Sequence, residues 1–348
     1  MSRHAPDTAI GWSEPPGVGA VLRAAGVAPA TAVDSACLHD VSRSHVVTRA
    51  TLPDGRSYVV KHVPREARAA GRSLTAELYV YRLASWRPDL AAIMPGCVHL
   101  DERRQVLTLE AAPVEHLFQA RMYQRGFPGA EFSAALGRTL AALHTATADV
   151  PLVTVSNYGV VGLPDAPASE RRLGDDSPAA QQLVEAVCSD ECLAAALRRA
   201  AAALQPSCLI HGDVKWDNAI MDPGPPARVS LFDWELSGSG DPAWDVGSAL
   251  ADGVSLAART GMPPQQLGAP ERALLAAYGA ARTVEADFAD RVVCSWTART
   301  IHLALESAAG IGDAQSPPVR ALLDTARELD LQRTVLTKAV REALAAAP

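Results

Sequence analysis

The sequence predicts an α+β protein, with a small antiparallel sheet and one helix in its first third and a mainly helical remainder. Three observations carry this expectation. Two β-branched runs, HVVTRATL and SYVVKHV, flank PDGR, whose Asp54-Gly55 pair suits a hairpin turn. From residue 131 onward apolar side chains recur at helical spacing, as Phe132, Leu136, Leu140 and Leu143 do in EFSAALGRTLAALHTAT. Between the two textures lies Ala111-Ala112-Pro113, which has no periodicity and reads as a join. The expected organisation is an N-terminal extension over 1–29, a sheet-bearing part over 30–112 and a helical part over 113–348.

Taken in order, residues 1–16 are polar and Pro-containing, and GVGAVLRAAG suits a short helix ended by Gly26. Its Gly17-Val18-Gly19 lacks a preceding strand and a third glycine, so it is not a nucleotide loop. After the hairpin, GRSLTAELYVYRLASW places Leu74, Leu78 and Tyr81 on one helical face. CVHLDERRQVLTLEAAP reads as two strands joined by DERR. Residues 151–178, rich in Pro, Gly, Ser and Asp, read as loop. A second hairpin follows, NAIM and RVSLFDW around DPGPPA, and residues 245–348 read as several helices. No internal repeat is present.

The chain has 348 residues, 48% of them apolar and 20% charged, and can bury a sizeable core. A net charge of −7 and the absence of a basic stripe argue against a nucleic-acid partner. The start, MSRHAPDTAIGWSEPPG, has no apolar core of a secretory signal, and no apolar run reaches membrane-spanning length. A cytoplasmic protein with no membrane partner is expected. The six cysteines include no C-x-x-C. Cys188 and Cys192, four apart, would share a helical face, and all six are expected as buried free thiols in a reducing compartment. There is no G-x-x-x-x-G-K-[ST], no H-E-x-x-H and no G-x-S-x-G.

One segment is dense in chemistry: LIHGDVKWDN, followed fifteen residues past its Asn by Asp233 in LFDWE. Phosphoryl transfer from ATP needs each of these residue types. A Lys at the end of a rigid strand, aimed by a carboxylate, can hold the α/β-phosphates; Lys61 of YVVK and Glu77 of the next helix form that pair. Mg²⁺ takes hard oxygen ligands, and the Asn218 amide oxygen and the Asp233 carboxylate supply them. The acceptor hydroxyl needs a carboxylate to orient it and take its proton, and Asp213 is placed for that. Positioning and charge neutralisation then carry the reaction. Taken singly, the residues have plainer readings. His211 suits a backbone brace, Lys61 a solvated edge charge, and Trp216 and Trp244 packing. Glu66 competes with Glu77 but precedes the break at Gly71. Glu235 fits a second metal contact and a capped hydrogen-bond network equally.

HGDVKWDN, then LFDWE, then GDPAWDVG, together strongly resemble the aminoglycoside phosphotransferase and choline-kinase-like family, relatives of the protein kinases. The resemblance runs over about residues 35–250. It implies a bilobal protein-kinase-like fold, with ATP at the join and adenine against Leu109-Glu110-Ala111-Ala112. By the same resemblance Asp213 is the catalytic base, Asn218 and Asp233 are magnesium ligands, and Lys61 with Glu77 is the nucleotide clamp. Glu110 and Ala112 meet the nucleotide, and Asp245 with His211 braces the catalytic turn. Two departures stand out. HDVSRSH has no glycine where protein kinases have a Gly-rich flap, and Ser44 with His45 takes that place as a nucleotide contact. Position 215 is Lys, as in serine/threonine protein kinases, where this family often has His; Lys215 is placed to neutralise the γ-phosphate.

The acceptor stays open at this level. One reading is a small molecule: an antibiotic, an amino alcohol or a sugar. A second is Ser/Thr of a ribosomally made precursor peptide, with a separate lyase as partner; Lys215 leans this way. A third is a pseudokinase scaffold, against which the intact Lys61, Glu77, Asp213, Asn218 and Asp233 set argues.

Overall fold

The computed structural model describes residues 17–42, 45–64, 67, 73–118, 129–150, 158–171, 177–260 and 267–347. The chain divides into two compact units, Met1–Trp86 with Pro95–Ala112, and Arg87–Met94 with Pro113–Pro348.

The first unit opens with helices α1 (Val18–Ala24) and α2 (Ala30–Asp34). Its sheet has five antiparallel strands in the order β1-β2-β3-β5-β4: β1 (Cys37–Asp40), β2 (Val46–Thr51), β3 (Ser57–His62), β4 (Cys97–Asp101) and β5 (Val106–Glu110). The PDGR segment forms the expected β2–β3 turn, with Gly55 at φ 88°. Residues 17–29, expected within a separate extension, belong to the sheet's core: Val21 and Leu22 pack with Val33, Ala50, Leu52, Tyr58, Val60 and Val106. Because side chains alternate across a strand, burial of Tyr58 and Val60 on that face turns Lys61 to the other. There it meets helix α3 (Thr75–Ala84), whose Leu78 and Tyr81 are buried as the spacing predicts.

The second unit is mainly helical: α4 (Ala130–Ala146), α5 (Pro178–Ser189), α6 (Glu191–Ala203), α7 (Pro242–Thr260), α8 (Ala269–Ala281), α9 (Phe288–Ile311), α10 (Pro317–Leu331) and α11 (Arg333–Leu344). Helix α4 packs on α8, and α9 packs on α7, α10 and α6. Between α6 and α7 run four short strands forming two antiparallel pairs. Strand β6 (Cys208–Ile210) pairs with β9 (Gly238–Gly240), and β7 (Ala219–Asp222) with β8 (Arg228–Leu231). The second pair is the hairpin predicted around DPGPPA.

Two expectations fail. Cys188 and Cys192 do not share a helix: Asp190 is extended, ends α5 and caps α6 by accepting from the backbone N–H groups of Cys192 and Leu193. Nor are the thiols uniformly buried. Cys37, Cys97 and Cys192 are exposed and Cys188 is half-buried, whereas Cys208 and Cys294 lie inside. Among the described residues no helix is long and apolar enough to cross a membrane.

Candidate active site

In the first unit, Lys61 Nζ lies 2.7 Å from Glu77 Oε2, with the two side chains 9% and 2% exposed. Strand β3 is hydrogen-bonded on both sides, so the Lys stem starts from a fixed backbone. Glu77 sits in the first turn of α3, where a negative charge is favoured. A buried pair adds little net stability because desolvating two charges offsets their attraction. Its value lies in orientation. Glu110 ends β5; its N–H donates to Gly96 O at 2.8 Å and its carboxylate packs against Gly96. The Ala112 carbonyl accepts from Arg49 Nη1 at 3.0 Å. Ser44 and Glu66 lie outside the described residues.

In the second unit, β6 delivers the chain to His211, and Gly212 turns it at φ 82°. A Cβ at Gly212 would stand 2.3 Å from Leu236 O, so sterics and dihedral both demand glycine. Asp245, in the first turn of α7, accepts from both peptides of the turn: His211 N–H at 2.8 Å and Gly212 N–H at 2.9 Å. His144 of α4 holds Asp245 in turn through Nε2 at 3.1 Å, and its Nδ1 lies 3.0 Å from the Tyr278 hydroxyl. Burial lowers the pKa of His144 despite Asp245, which keeps it uncharged and fits donation from Nε2 with acceptance at Nδ1. Trp244 is buried and donates its indole N–H to Gly212 O at 3.2 Å.

His211 itself links the turn to the hairpin. The Asp213 N–H points to its Nδ1 at 3.3 Å, so Nε2 carries the proton and donates to Phe232 O at 3.0 Å. The hairpin register pairs Ala219 with Leu231, and Phe232 N–H donates to Asn218 O at 3.0 Å. Asn218 and Asp233 therefore stand together at the open end of β7–β8. Asp233 adopts the left-handed region, φ 65° and ψ 61°, one of two non-glycine residues to do so among those described. Such a conformation costs roughly 1–3 kcal/mol and persists where neighbours over-determine it. Here they do: Phe232 is held at both its N–H and its carbonyl, and Trp234 is fully buried with its indole N–H on Leu231 O.

Asp213 is the centre of this arrangement. Its Oδ2 accepts from Lys215 Nζ at 2.6 Å and Asn218 Nδ2 at 3.1 Å, and its carbonyl accepts from the same amide at 3.0 Å. Its Oδ1 lies 2.5 Å from Nη2 of Arg299, a residue of α9. Burial would raise the Asp213 carboxyl, but the Arg299 and Lys215 cations outweigh it and hold the group well below the usual carboxylate range. Burial likewise works against the Lys215 ammonium, and Asp213 with Glu306 outweighs it, so Lys215 stays charged. Both Nδ2 bonds of Asn218 go to Asp213, which leaves its amide oxygen for other work. The structure thus brings Asp213, Lys215, Asn218, Asp233, His211 and Asp245 together, and separately joins Lys61 to Glu77.

Arg299, His144 and Asp252 are the residues that sequence reasoning missed. Asp252 of α7 accepts the Trp216 N–H at 2.8 Å and so fixes the far side of the loop. None of the three lies in a motif. The only hint is one of composition, an ionisable residue within an apolar helical run.

Metal ligation can be tested on the donors present. Among the described residues no group of three His, Cys, Asp or Glu could hold an ion. One amide oxygen and one carboxylate at a hairpin mouth suit a hard cation that completes its shell from phosphate and water, as Mg²⁺ does. The set does not suit a structural transition metal.

A model of the phosphotransferase enzyme family matches residues 40–288. No curated protein sequence matches the chain. Among solved structures it is similar to a choline/ethanolamine kinase family protein from Mesorhizobium loti, at 18% identity and TM-score 0.54, covering 93% of this chain and 97% of that one. It is similar to the amicoumacin kinase hAmiN in complex with AMP-PNP, Ca²⁺ and Ami, at 15% identity and TM-score 0.55, covering 85% and 88%. It is also similar to the choline kinase LicA from Streptococcus pneumoniae, at 15% identity and TM-score 0.53, covering 85% and 92%. These likenesses establish a protein-kinase-like fold. The chain belongs to the phosphotransferase enzyme family.

Proposed function

We propose that the protein transfers the γ-phosphoryl group of ATP to a hydroxyl of a small molecule, with Mg²⁺ held by Asn218 and Asp233. The observation that carries this reading is the Asp213 carboxylate, ionised and gripped by Arg299, Lys215 and Asn218 beside the hairpin end that presents Asp233. In the reaction the acceptor oxygen bonds to the γ-phosphorus, the bond from that phosphorus to the β–γ bridging oxygen breaks, and ADP leaves. The hydroxyl proton passes to Asp213. A carboxylate so acidic takes a proton late, so Asp213 first orients the hydroxyl and accepts its proton as the bond to phosphorus forms. Lys215 is the cation free to turn from Asp213 to the moving phosphoryl group. Lys61, aimed by Glu77, holds the α/β-phosphates. Bound Mg²⁺ would neutralise phosphate charge.

The similar kinases named for choline, ethanolamine and amicoumacin support a small acceptor, such as an amino alcohol or an antibiotic. The test is a radiolabelled-ATP screen over amino alcohols, aminoglycosides and Ser/Thr peptides, run beside Asp213→Asn. A small-molecule product is expected. The variant should keep nucleotide affinity while kcat falls by about 10²-fold or more. Transfer confined to peptides would overturn the acceptor assignment, and a fully active variant would overturn the role of Asp213.

A further inference from the structure

Arg299 occupies the middle of the 24-residue helix α9 and is 1% exposed. Its guanidinium is gripped at both ends. Nη2 meets Asp213 Oδ1 at 2.5 Å, while Nη1 meets His302 Nδ1 at 2.6 Å and Glu306 Oε1 at 3.0 Å. Spacings of three and seven put Arg299, His302 and Glu306 on one face of the helix. Because a guanidinium only donates, His302 accepts at Nδ1 and carries its proton on Nε2, which faces Glu306 Oε1 at 3.5 Å. The orientation of the fork is thus fixed from the solvent side by two residues that do not touch Asp213.

The other two partners of Asp213 differ in kind. Lys215 and Asn218 both come from the catalytic loop and both bind Oδ2. They leave the carboxylate free to pivot about that oxygen, and Lys215 has a second task at the phosphate. Among the described residues Arg299 alone holds Oδ1, and it does so from outside the loop. Burying a guanidinium costs several kcal/mol against an apolar side chain of similar volume, so filling space does not account for it.

We propose that Arg299 is a positioning residue, set by Glu306 and His302, which pins Oδ1 of Asp213 so that the Oδ2 edge faces the acceptor hydroxyl once Lys215 turns to phosphate. This rests on the reading of Asp213 as the group that receives the hydroxyl proton. Glu306, 41% exposed at its side chain, then sets the aim of the base through Arg299 without touching the base itself.

The experiment measures ADP formation from ATP and Mg²⁺ by the full chain, with ethanolamine, kanamycin or water as acceptor, whichever is turned over. Arg299→Lys keeps the charge but cannot span both carboxylates. Its kcat should fall about 10–100-fold, the effect expected of a small misplacement, with KM for ATP near wild type. Glu306→Gln, at a half-open position that tolerates change, should lose about three- to tenfold in kcat. In Asp213→Asn the added Arg299→Lys should cost nothing more, because positioning acts only through the base. Wild-type kcat in a folded Arg299→Lys, or in Glu306→Gln where Arg299→Lys fails to fold, would overturn the proposal. So would a further loss on top of Asp213→Asn. An Asp213→Asn variant with full activity is a separate result that removes the premise, and the proposal with it.

Discussion

At Asp252 in α7 a buried carboxylate accepts the backbone N–H of Trp216. Burial pushes its pKa up to about 6, against the opposing pull of that N–H and of Arg259. An unfolded aspartate ionises near pH 3.8. Between the two values the folded chain binds more protons than the unfolded one, so stability from this group falls as pH rises through the window. Above the folded pKa the penalty is complete, about 3 kcal/mol. Asp252→Asn keeps an oxygen acceptor for Trp216 and removes the charge. It should therefore stabilise the protein by up to that amount at pH 7–8 and by little at pH 4, read from urea midpoints across the range. A variant with wild-type pH dependence would count against the assignment. Legibility at this scale follows locality. Asp213, Lys215 and Asn218 stand within six residues, and their types name a chemistry. Arg299 stands 86 residues beyond Asp213, inside TARTIHLALES, where an arginine on a helical stripe reads as solvated surface.

Elements were legible where the apolar pattern had a period and unreadable where it did not. The β2–β3 and β7–β8 hairpins, α3 and α4 follow from alternation, turn residues and helical spacing. Strand β1 is exposed along its whole length, so no alternation marks it, and β9 is Gly-Ser-Gly, which offers no side-chain pattern. Helix α4 also buries more than its predicted stripe, with Ser133, Gly137, Thr139 and His144 inside as well, because α8 and β8 pack on it. Gly137 marks the closest approach to α8. A Cβ there would lie 2.2 Å from Leu274 O, a backbone atom that cannot rotate away. Helix propensity favours Ala over Gly by about 1 kcal/mol, which taken alone predicts that Gly137→Ala stabilises. Forcing two packed helices apart costs roughly 1–3 kcal/mol or more, so the clash wins. Denaturant unfolding should show net destabilisation, and an unchanged or raised midpoint would mean that α4 and α8 separate at no cost.

On the scale of the whole molecule, each unit holds its own polar cluster: the buried Lys61–Glu77 pair in one, and the Asp213, Asn218 and Asp233 group in the other. The two-texture pattern of the chain was visible in the sequence, since β-branched runs give way to helical periodicity at Pro113. The addition of α1 and α2 to the core of the sheet was not, because a seven-residue and a five-residue helix carry too few apolar positions to announce their partner. A ligand that binds the folded chain and not the unfolded one stabilises the former by about 2.7 kcal/mol at a hundredfold excess over its dissociation constant. Saturating ATP with Mg²⁺ should therefore raise the melting temperature by several degrees. ATP without the cation should raise it less, because phosphate charge then meets the Asp213 and Asp233 carboxylates unneutralised. Asp233→Asn should erase most of the difference between the two conditions while leaving the metal-free shift in place. The strain that Asp233 accepts at φ 65° is better tolerated by Asn than by any other replacement except Gly, so the folded baseline should move little. Full retention of the Mg²⁺ increment in that variant would take Asp233 out of the metal site. A melting temperature indifferent to nucleotide in the wild-type chain would point instead to a scaffold that has kept the residues without the reaction.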